Sequence, residues 1–311
     1  MPRTLISLLL VLCSVCLNAQ SFDRTEVVTQ LAQIIDRNYV FPEKGKAMSD
    51  LILSKLKKGE YIAIETADAM AKQLDTDLKS VANDKHIRVT YNPTRFEAIQ
   101  QGSPTGGRPA QGNYGFEEVD ILEGNIGYLD LRGFSDIRFA EEVAKAAMDK
   151  LIQSDAIIFD LRKNGGGSPS MIRFISSYLF GDQPVHLNTF YWRPSDSYSE
   201  TWTAPDLASV YKPNVPVYVL TSNYTFSAAE EFTYNLKNLK RATIIGETTG
   251  GGAHPGGPML ITDGFIVNVP QGRAINPITK TNWEGVGVKP NIETTADAAL
   301  DKALELIGAK N

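Results

Sequence analysis

Four groups in this chain combine residue types and positions that could do chemistry. The first is Ser227, in the stretch Leu220 to Phe232 (LTSNYTFSAAEEF), which reads as the end of a buried strand, a short polar turn and the start of a helix. A hydroxyl at such a junction stands at the carboxyl edge of a sheet and at the positive end of a helix, where ligands bind and anions are stabilised. Ser227 is therefore a candidate nucleophile. Ser227 and Glu230 also have the spacing of a capping box, so on these residues alone the serine is equally a helix cap.

The second group is the loop Asn164-Gly165-Gly166-Gly167-Ser168, after Asp160-Leu161-Arg162. It lacks the Lys-Ser/Thr of a phosphate-binding loop and the spaced glycines of a dinucleotide fingerprint. Consecutive glycines let bare amides approach a ligand, as an oxyanion hole requires, and they equally suit a tight turn needing positive φ. The third group is the three histidines. His86 lies in Asn83-Asp84-Lys85-His86, His254 follows a glycine run, and His186 beside Pro184 reads as a surface residue. None has the paired spacing of a zinc site, so no metal is expected. The fourth is Glu284, next to Gly285 in WEGVGVKPN, placed either to orient a histidine or serine or to be a solvated loop acid.

The elements that must hold these groups follow from periodicity. Residues 21–92 read as a small helical domain: Val28, Leu31, Ile34 and Ile35 share one helix face, and further runs begin near Asp50 and Thr66. The Gly/Pro/Gln-rich segment 93–115 reads as a loop or flap. Residues 116–311 alternate strands (Gly124 to Phe134, Ala156 to Arg162, Val215 to Leu220, Arg241 to Thr249) with amphipathic helices, and end in a helix from Ala296. That order implies an α/β core with a mainly parallel sheet. Tyr191, Trp192 and Trp202 fall in a less regular stretch, as core, cleft wall or the lining of an apolar ligand site.

Composition narrows the class. The 311 residues suffice for one large or two modest domains. Arg3 precedes an uncharged run from Leu5 to Leu17 and then Asn18-Ala19-Gln20, the pattern of a secretory signal over residues 1–20. The run is short for a membrane span and no later stretch supplies one. An exported protein, periplasmic or extracellular, is expected. Cys13 and Cys16 both fall in the leader, so the mature chain would hold no disulfide, thiolate site or cysteine nucleophile. A net charge of −5 without a basic stripe argues against nucleic acid as a partner.

Taken together, Asp84-Lys85-His86, IGYLDLRGF, FDLRKNGGGS, VLTSNYTFSAAEEF, IIGETTGGG and EGVGVKPN resemble, in order, the serine peptidases that include the tail-specific (carboxyl-terminal-processing) proteases, the tricorn core and interphotoreceptor retinoid-binding protein. The resemblance implies a ClpP/crotonase-like core, a polypeptide substrate and no cofactor. Tail-specific members use a Ser-Lys dyad, but Gly252 stands where their lysine would, and 93–115 leaves no room for their PDZ domain. The chain thus looks like the tricorn and retinoid-binding branch. That branch implies Ser227 as nucleophile, His86 as base, Glu284 as the acid of the relay, and the amides of Gly166 and Ala228 as the oxyanion hole. His254 is the alternative base. Lys85 departs from the pattern, since tricorn has serine before its base. Two rivals come with the resemblance: a non-catalytic hydrophobic-ligand or peptide-binding module on this fold, and the crotonase group, against which the leader and Ser227 argue. The substrate is expected as an added edge strand, with IGYLDLRGF forming part of the cleft.

Overall fold

The structure, a computed structural model, describes residues 22–102, 112–207 and 210–308. The leader, the rest of the glycine-rich segment and the last residues lie outside these. The chain opens with three helices, α1 (Arg24–Asn38), α2 (Pro42–Lys57) and α3 (Ala67–Ala82). Asp23 caps α1 by accepting the Thr25 and Glu26 amides, and Thr66 caps α3 through the Ala69 amide. Their buried stripes (Val27, Val28, Leu31 and Ile35; Met70, Leu74 and Leu78) have helical spacing and pack together. Asn83, at φ 46°, ends α3 in the left-handed region that Asn tolerates, and the chain turns directly into Asp84-Lys85-His86.

Strand β1 (Arg88–Tyr91) follows, then helix α4 (Pro93–Gln100). The helix departs from the loop read for 93–115. Its signal was present: Asn92 accepts the Arg95 amide as N-cap and Pro93 occupies the first turn, where proline costs no hydrogen bond.

The remaining elements are β2 (Phe116–Leu122), β3 (Ile126–Leu131), α5 (Ile137–Leu151), β4 (Ala156–Asp160), α6 (Pro169–Leu179), β5 (His186–Trp192), β6 (Ser197–Trp202), β7 (Val217–Thr221), α7 (Ala228–Asn238), β8 (Thr243–Gly246), β9 (Gly256–Leu260), β10 (Phe265–Pro270), β11 (Gly272–Ile275), β12 (Ile292–Glu293) and α8 (Ala299–Gly308). A six-stranded sheet in the order β12-β8-β7-β4-β3-β2 is parallel except for β2. The mixed α/β architecture with a mainly parallel central sheet is the one expected. Apolar residues cover both faces: Leu129, Phe159 and Val219 pack against α5, α6 and α7, while Tyr128, Ile158, Tyr218 and Leu220 pack against α8. This two-sided burial is why these strands read as continuous apolar runs.

Two smaller antiparallel sheets flank it. In β11-β5-β6 the segment around Tyr191 and Trp202 is a paired hairpin with one register shift between His186 and Asn188, where the sequence suggested a less regular stretch. In β1-β10-β9, Val89 lies opposite Val267. Ile261, Phe265, Val267 and Val269 complete the hydrophobic core of the N-terminal helices, so that core draws on chain from both ends of the sequence.

One expectation is corrected. IGYLDLRGF does not offer an open sheet edge: β3 lies between β2 and β4 and all six of its residues are buried. A strand hydrogen-bonded on both sides has no backbone groups left to bind a substrate strand.

Candidate active site

Ser227 stands between β7 and α7 with φ 54° and ψ −119°, a conformation a side-chain-bearing residue adopts only when its surroundings enforce it. The enforcing bonds are local. Thr225 Oγ1 donates to Leu161 O (2.8 Å), Ser222 Oγ donates to Arg162 O (2.6 Å), and the Phe226 amide donates to Asn164 O (3.1 Å). These tie the turn to the end of β4. The Ser227 amide donates to Glu230 Oε2 at 2.9 Å, so the glutamate half of the capping box is formed. Glu230 also receives Thr249 Oγ1 (2.5 Å) and the amides of Gly251 (2.6 Å) and Gly252 (2.8 Å). Burial raises its pKa and these four donors oppose that shift. The glutamate therefore joins the serine turn to the glycine run beyond β8, a role that its cap spacing alone did not reveal.

Ser227 Oγ lies 3.1 Å from His86 Nε2. The two residues are 141 positions apart and meet because β1, paired with β10, carries His86 over the end of β7. Asn268 Nδ2 donates to His86 O (2.8 Å), the His86 amide donates to Asp84 Oδ1 (2.9 Å), and the imidazole packs on Phe226 at a centroid distance of 4.7 Å. Lys85 reaches away and donates to Gly250 O at 2.6 Å.

Behind His86 lies Asp84, 1 % exposed. Its Oδ1 is 4.0 Å from His86 Nδ1, which has no hydrogen-bond partner among the described residues, and its Oδ2 is 2.8 Å from His254 Nδ1. Tyr39 donates its hydroxyl to Asp84 Oδ2 at 3.1 Å. Glu284 Oε2 accepts the Ala253 amide (2.6 Å) and sits 3.4 Å from His254 Nδ1. Asp84 and Glu284 both face His254 Nδ1, and each also brings a carboxylate oxygen within 4.8 Å of a His86 ring nitrogen. The structure thus brings Glu284, as well as Asp84, to the histidine that contacts Ser227. His254 makes no described contact with Ser227 and lines a separate cavity of about 370 Å³ with Phe41, Arg273 and Glu284. His186 is remote, stacked on Trp202 at 4.4 Å.

The electrostatics follow from burial. Desolvation lowers the His86 pKa against the pull of Asp84, which favours the neutral imidazole. Burial alone would raise the Asp84 carboxyl, but its interactions with His254 and with His86, whose amide it accepts, together outweigh burial and hold it below the usual range. Burial and the Asp84 charge raise Glu284. Asp84, His86 and Glu284 each offer a ligand-type atom within 4.8 Å of the others, but both carboxylates already accept bonds from protein groups.

The glycine loop closes over the serine. Gly166, at φ 112°, passes so near that a Cβ there would stand 2.8 Å from Ser227 Cβ. Its amide does not point to open space: it donates to Asn164 Oδ1 at 2.8 Å, while Asn164 Nδ2 donates to Leu131 O at 2.7 Å. The next glycine, Gly167, lines the same cavity as Ser227 and Ala228. That cavity has a volume of about 270 Å³ and its walls include Phe190, Trp192 and Trp283. The aromatics singled out in the sequence therefore separate: Trp192 faces Ser227, Tyr191 packs on Tyr198 (5.2 Å), and Trp202 borders a different cleft with Arg173 and Glu200.

Residues 125–294, more than half of the sequence, match Peptidase family S41. The chain belongs to this family. Family membership makes it a serine-type peptidase, as the sequence resemblance implied. Residues 21–113 match the N-terminal domain of Peptidase S41 in eukaryotic IRBP. Among solved structures the fold is similar to a putative S41 protease from Bacteroides fragilis (22 % identity, TM-score 0.56), with 63 % of this chain and 58 % of that one covered. It is also similar to a putative peptidase from Parabacteroides merdae (19 %, TM-score 0.65; 92 % and 97 % covered) and to a photosystem II D1 C-terminal processing protease (16 %, TM-score 0.56; 89 % and 95 % covered). Among the described residues no helix is long and apolar enough to cross a membrane.

Proposed function

We propose that this S41 member is exported and hydrolyses peptide bonds of extended polypeptides, with Ser227 as nucleophile and His86 as general base. The observation that carries the reading is the 3.1 Å approach of His86 Nε2 to Ser227 Oγ on the wall of an aromatic-lined cavity. For Nε2 to accept, the ring proton must sit on Nδ1, the nitrogen nearest Asp84, so the buried carboxylate stabilises the imidazolium as it forms.

The steps balance as follows. Ser227 Oγ attacks the scissile carbonyl carbon, its proton passes to His86 Nε2, and the carbonyl π pair becomes an oxyanion. The Ala228 amide and one amide of the Gly165–Gly167 loop hold that oxyanion, each worth about 3 kcal/mol. Gly166 serves only if it shares its hydrogen bond with Asn164, and Gly167, in the same cavity, is the alternative donor. His86 then protonates the leaving amine as the C–N bond breaks. Water, deprotonated by His86, releases the acyl group and restores Ser227. In this reading His254 and Glu284 fix the charge and orientation of Asp84 and do not themselves take the serine proton.

Export rests on the charged, apolar and small-residue order of residues 1–20. Hydrolysis of an unstructured polypeptide by the purified protein, followed by mass spectrometry of the products, tests the activity. Ser227→Ala and His86→Ala should each abolish cleavage, and cleavage surviving in either variant would contradict the assignment.

A further inference from the structure

One buried acid near the site has no part in this mechanism. Glu231 sits one residue after Glu230 on α7, is 3 % exposed, and lines the cavity that also holds Ser227, His86 and Gly167. Among the described residues nothing donates a hydrogen bond to its Oε1. Asn188, wholly buried, is the neighbouring polar side chain, and among the described residues no lysine or arginine lines the cavity. A carboxyl taken out of water without a counter-charge is costly to keep, and packing alone would be better served by an apolar residue. Its first-turn place on α7 only partly offsets that cost.

We propose that Glu231 is the selectivity element of a substrate side-chain subsite beside Ser227, and that the side chain it takes is long and basic, lysine or arginine. Phe190, Trp192 and Trp283 supply apolar walls for the methylene stem, and aromatic faces also attract a cation. The volume of about 270 Å³ accommodates one such side chain. The substrate's ammonium or guanidinium then gives Glu231 the partner that the protein withholds. Burial pushes the empty-site carboxyl up to about 7, with Asn188 opposing, so an arriving cation draws it into the ionised form. An acidic side chain would meet an unpaired carboxyl and be rejected.

The inference rests on Ser227 being the reacting group, and the test separates the two claims. Peptides identical except for one central residue (lysine, arginine, Nε-acetyl-lysine, norleucine or glutamate) are bound to the Ser227→Ala variant and, separately, offered to the wild-type enzyme. Lysine and arginine peptides should bind Ser227→Ala at least tenfold more tightly than the acetyl-lysine and norleucine peptides, and the preference should vanish in Ser227→Ala/Glu231→Gln. The wild-type enzyme should cleave on the carboxyl side of the basic residue. The lysine against acetyl-lysine contrast uses no change at Glu231, so the inference stays testable if the Gln variant does not fold. Equal binding of lysine and norleucine peptides, or a lysine preference that survives Glu231→Gln, would overturn the subsite. Selective binding without any cleavage would leave the subsite standing and count against the peptidase reading.

Discussion

A Cβ on Gly252 would stand 2.7 Å from Cε1 of His86 and 2.2 Å from Cζ of Phe226. In this chain a side chain at 252 and an imidazole at 86 would compete for the same volume, and by the sequence resemblance 252 is where Ser-Lys relatives are expected to carry their lysine. The glycine also donates its amide to Glu230 Oε2, which fixes the loop at that distance.

Gly252→Ala should therefore displace the Phe226 ring and the imidazole it supports. Misplacement of a catalytic group by about 1 Å costs on the order of 10²-fold. The expected outcome is a fall of about that size in kcat/KM with little change in melting temperature, measured by peptide hydrolysis and thermal unfolding.

The acid limb of the pH profile should report His86. Burial depresses its pKa below the ordinary 6.5, and the base works only when neutral, so activity should fall as pH drops through an apparent value under 6.5. Asp84 raises the His86 pKa, so Asp84→Asn should move that limb further down while lowering the plateau. A plot of kcat/KM against pH for both proteins checks the sign.

The two histidines should differ in kind. His86→Ala removes the base and should abolish hydrolysis. His254→Ala removes the 2.8 Å partner of Asp84 Oδ2, a charge-assisted bond, and should reduce kcat by roughly tenfold. Asp84→Asn should cost on the order of 10²-fold, less than the roughly 10⁴-fold known for a triad aspartate bonded directly to its histidine, because the His86 Nδ1 to Asp84 Oδ1 distance is 4.0 Å. Steady-state kinetics on the three variants distinguish these outcomes.

The N-terminal helices should not unfold apart from the hairpin of β9 and β10. Phe265 is fully buried, with ring centroids 5.3 Å from Phe22 and 5.1 Å from Tyr91. Phe265→Ala should cost about 3–5 kcal/mol and lower the denaturant midpoint of the helical signal as well as that of the core. Urea melts followed by far-UV circular dichroism and by tryptophan fluorescence measure both.

Much of this was legible from residue order. The central parallel strands declared themselves because burial on both faces makes them continuously apolar, as in Val217 to Leu220. Ser227 was visible from the strand-turn-helix pattern around it. The meeting of two acids at the histidines was not, because Asp84, two residues before His86, and Glu284, near the other end of the chain, are brought together only by folding, which sets both beside His254. Neither was the interior position of β3: IGYLDLRGF carries no mark of whether a later or an earlier strand covers its free side, and β2 does so from a stretch with charged Glu117, Glu118 and Asp120 on its exposed face. Nothing in the sequence singles out Glu231, since the hairpin that helps to wall its cavity begins about forty-five residues earlier in the chain.

The most direct test of the proton-transfer pair is covalent labelling by a fluorophosphonate, followed by intact mass and peptide mapping. The account predicts one adduct, on Ser227, formed rapidly by the wild-type protein, absent in Ser227→Ala and slowed by orders of magnitude in His86→Ala. An adduct on another residue, or labelling of folded His86→Ala at the wild-type rate, would contradict it.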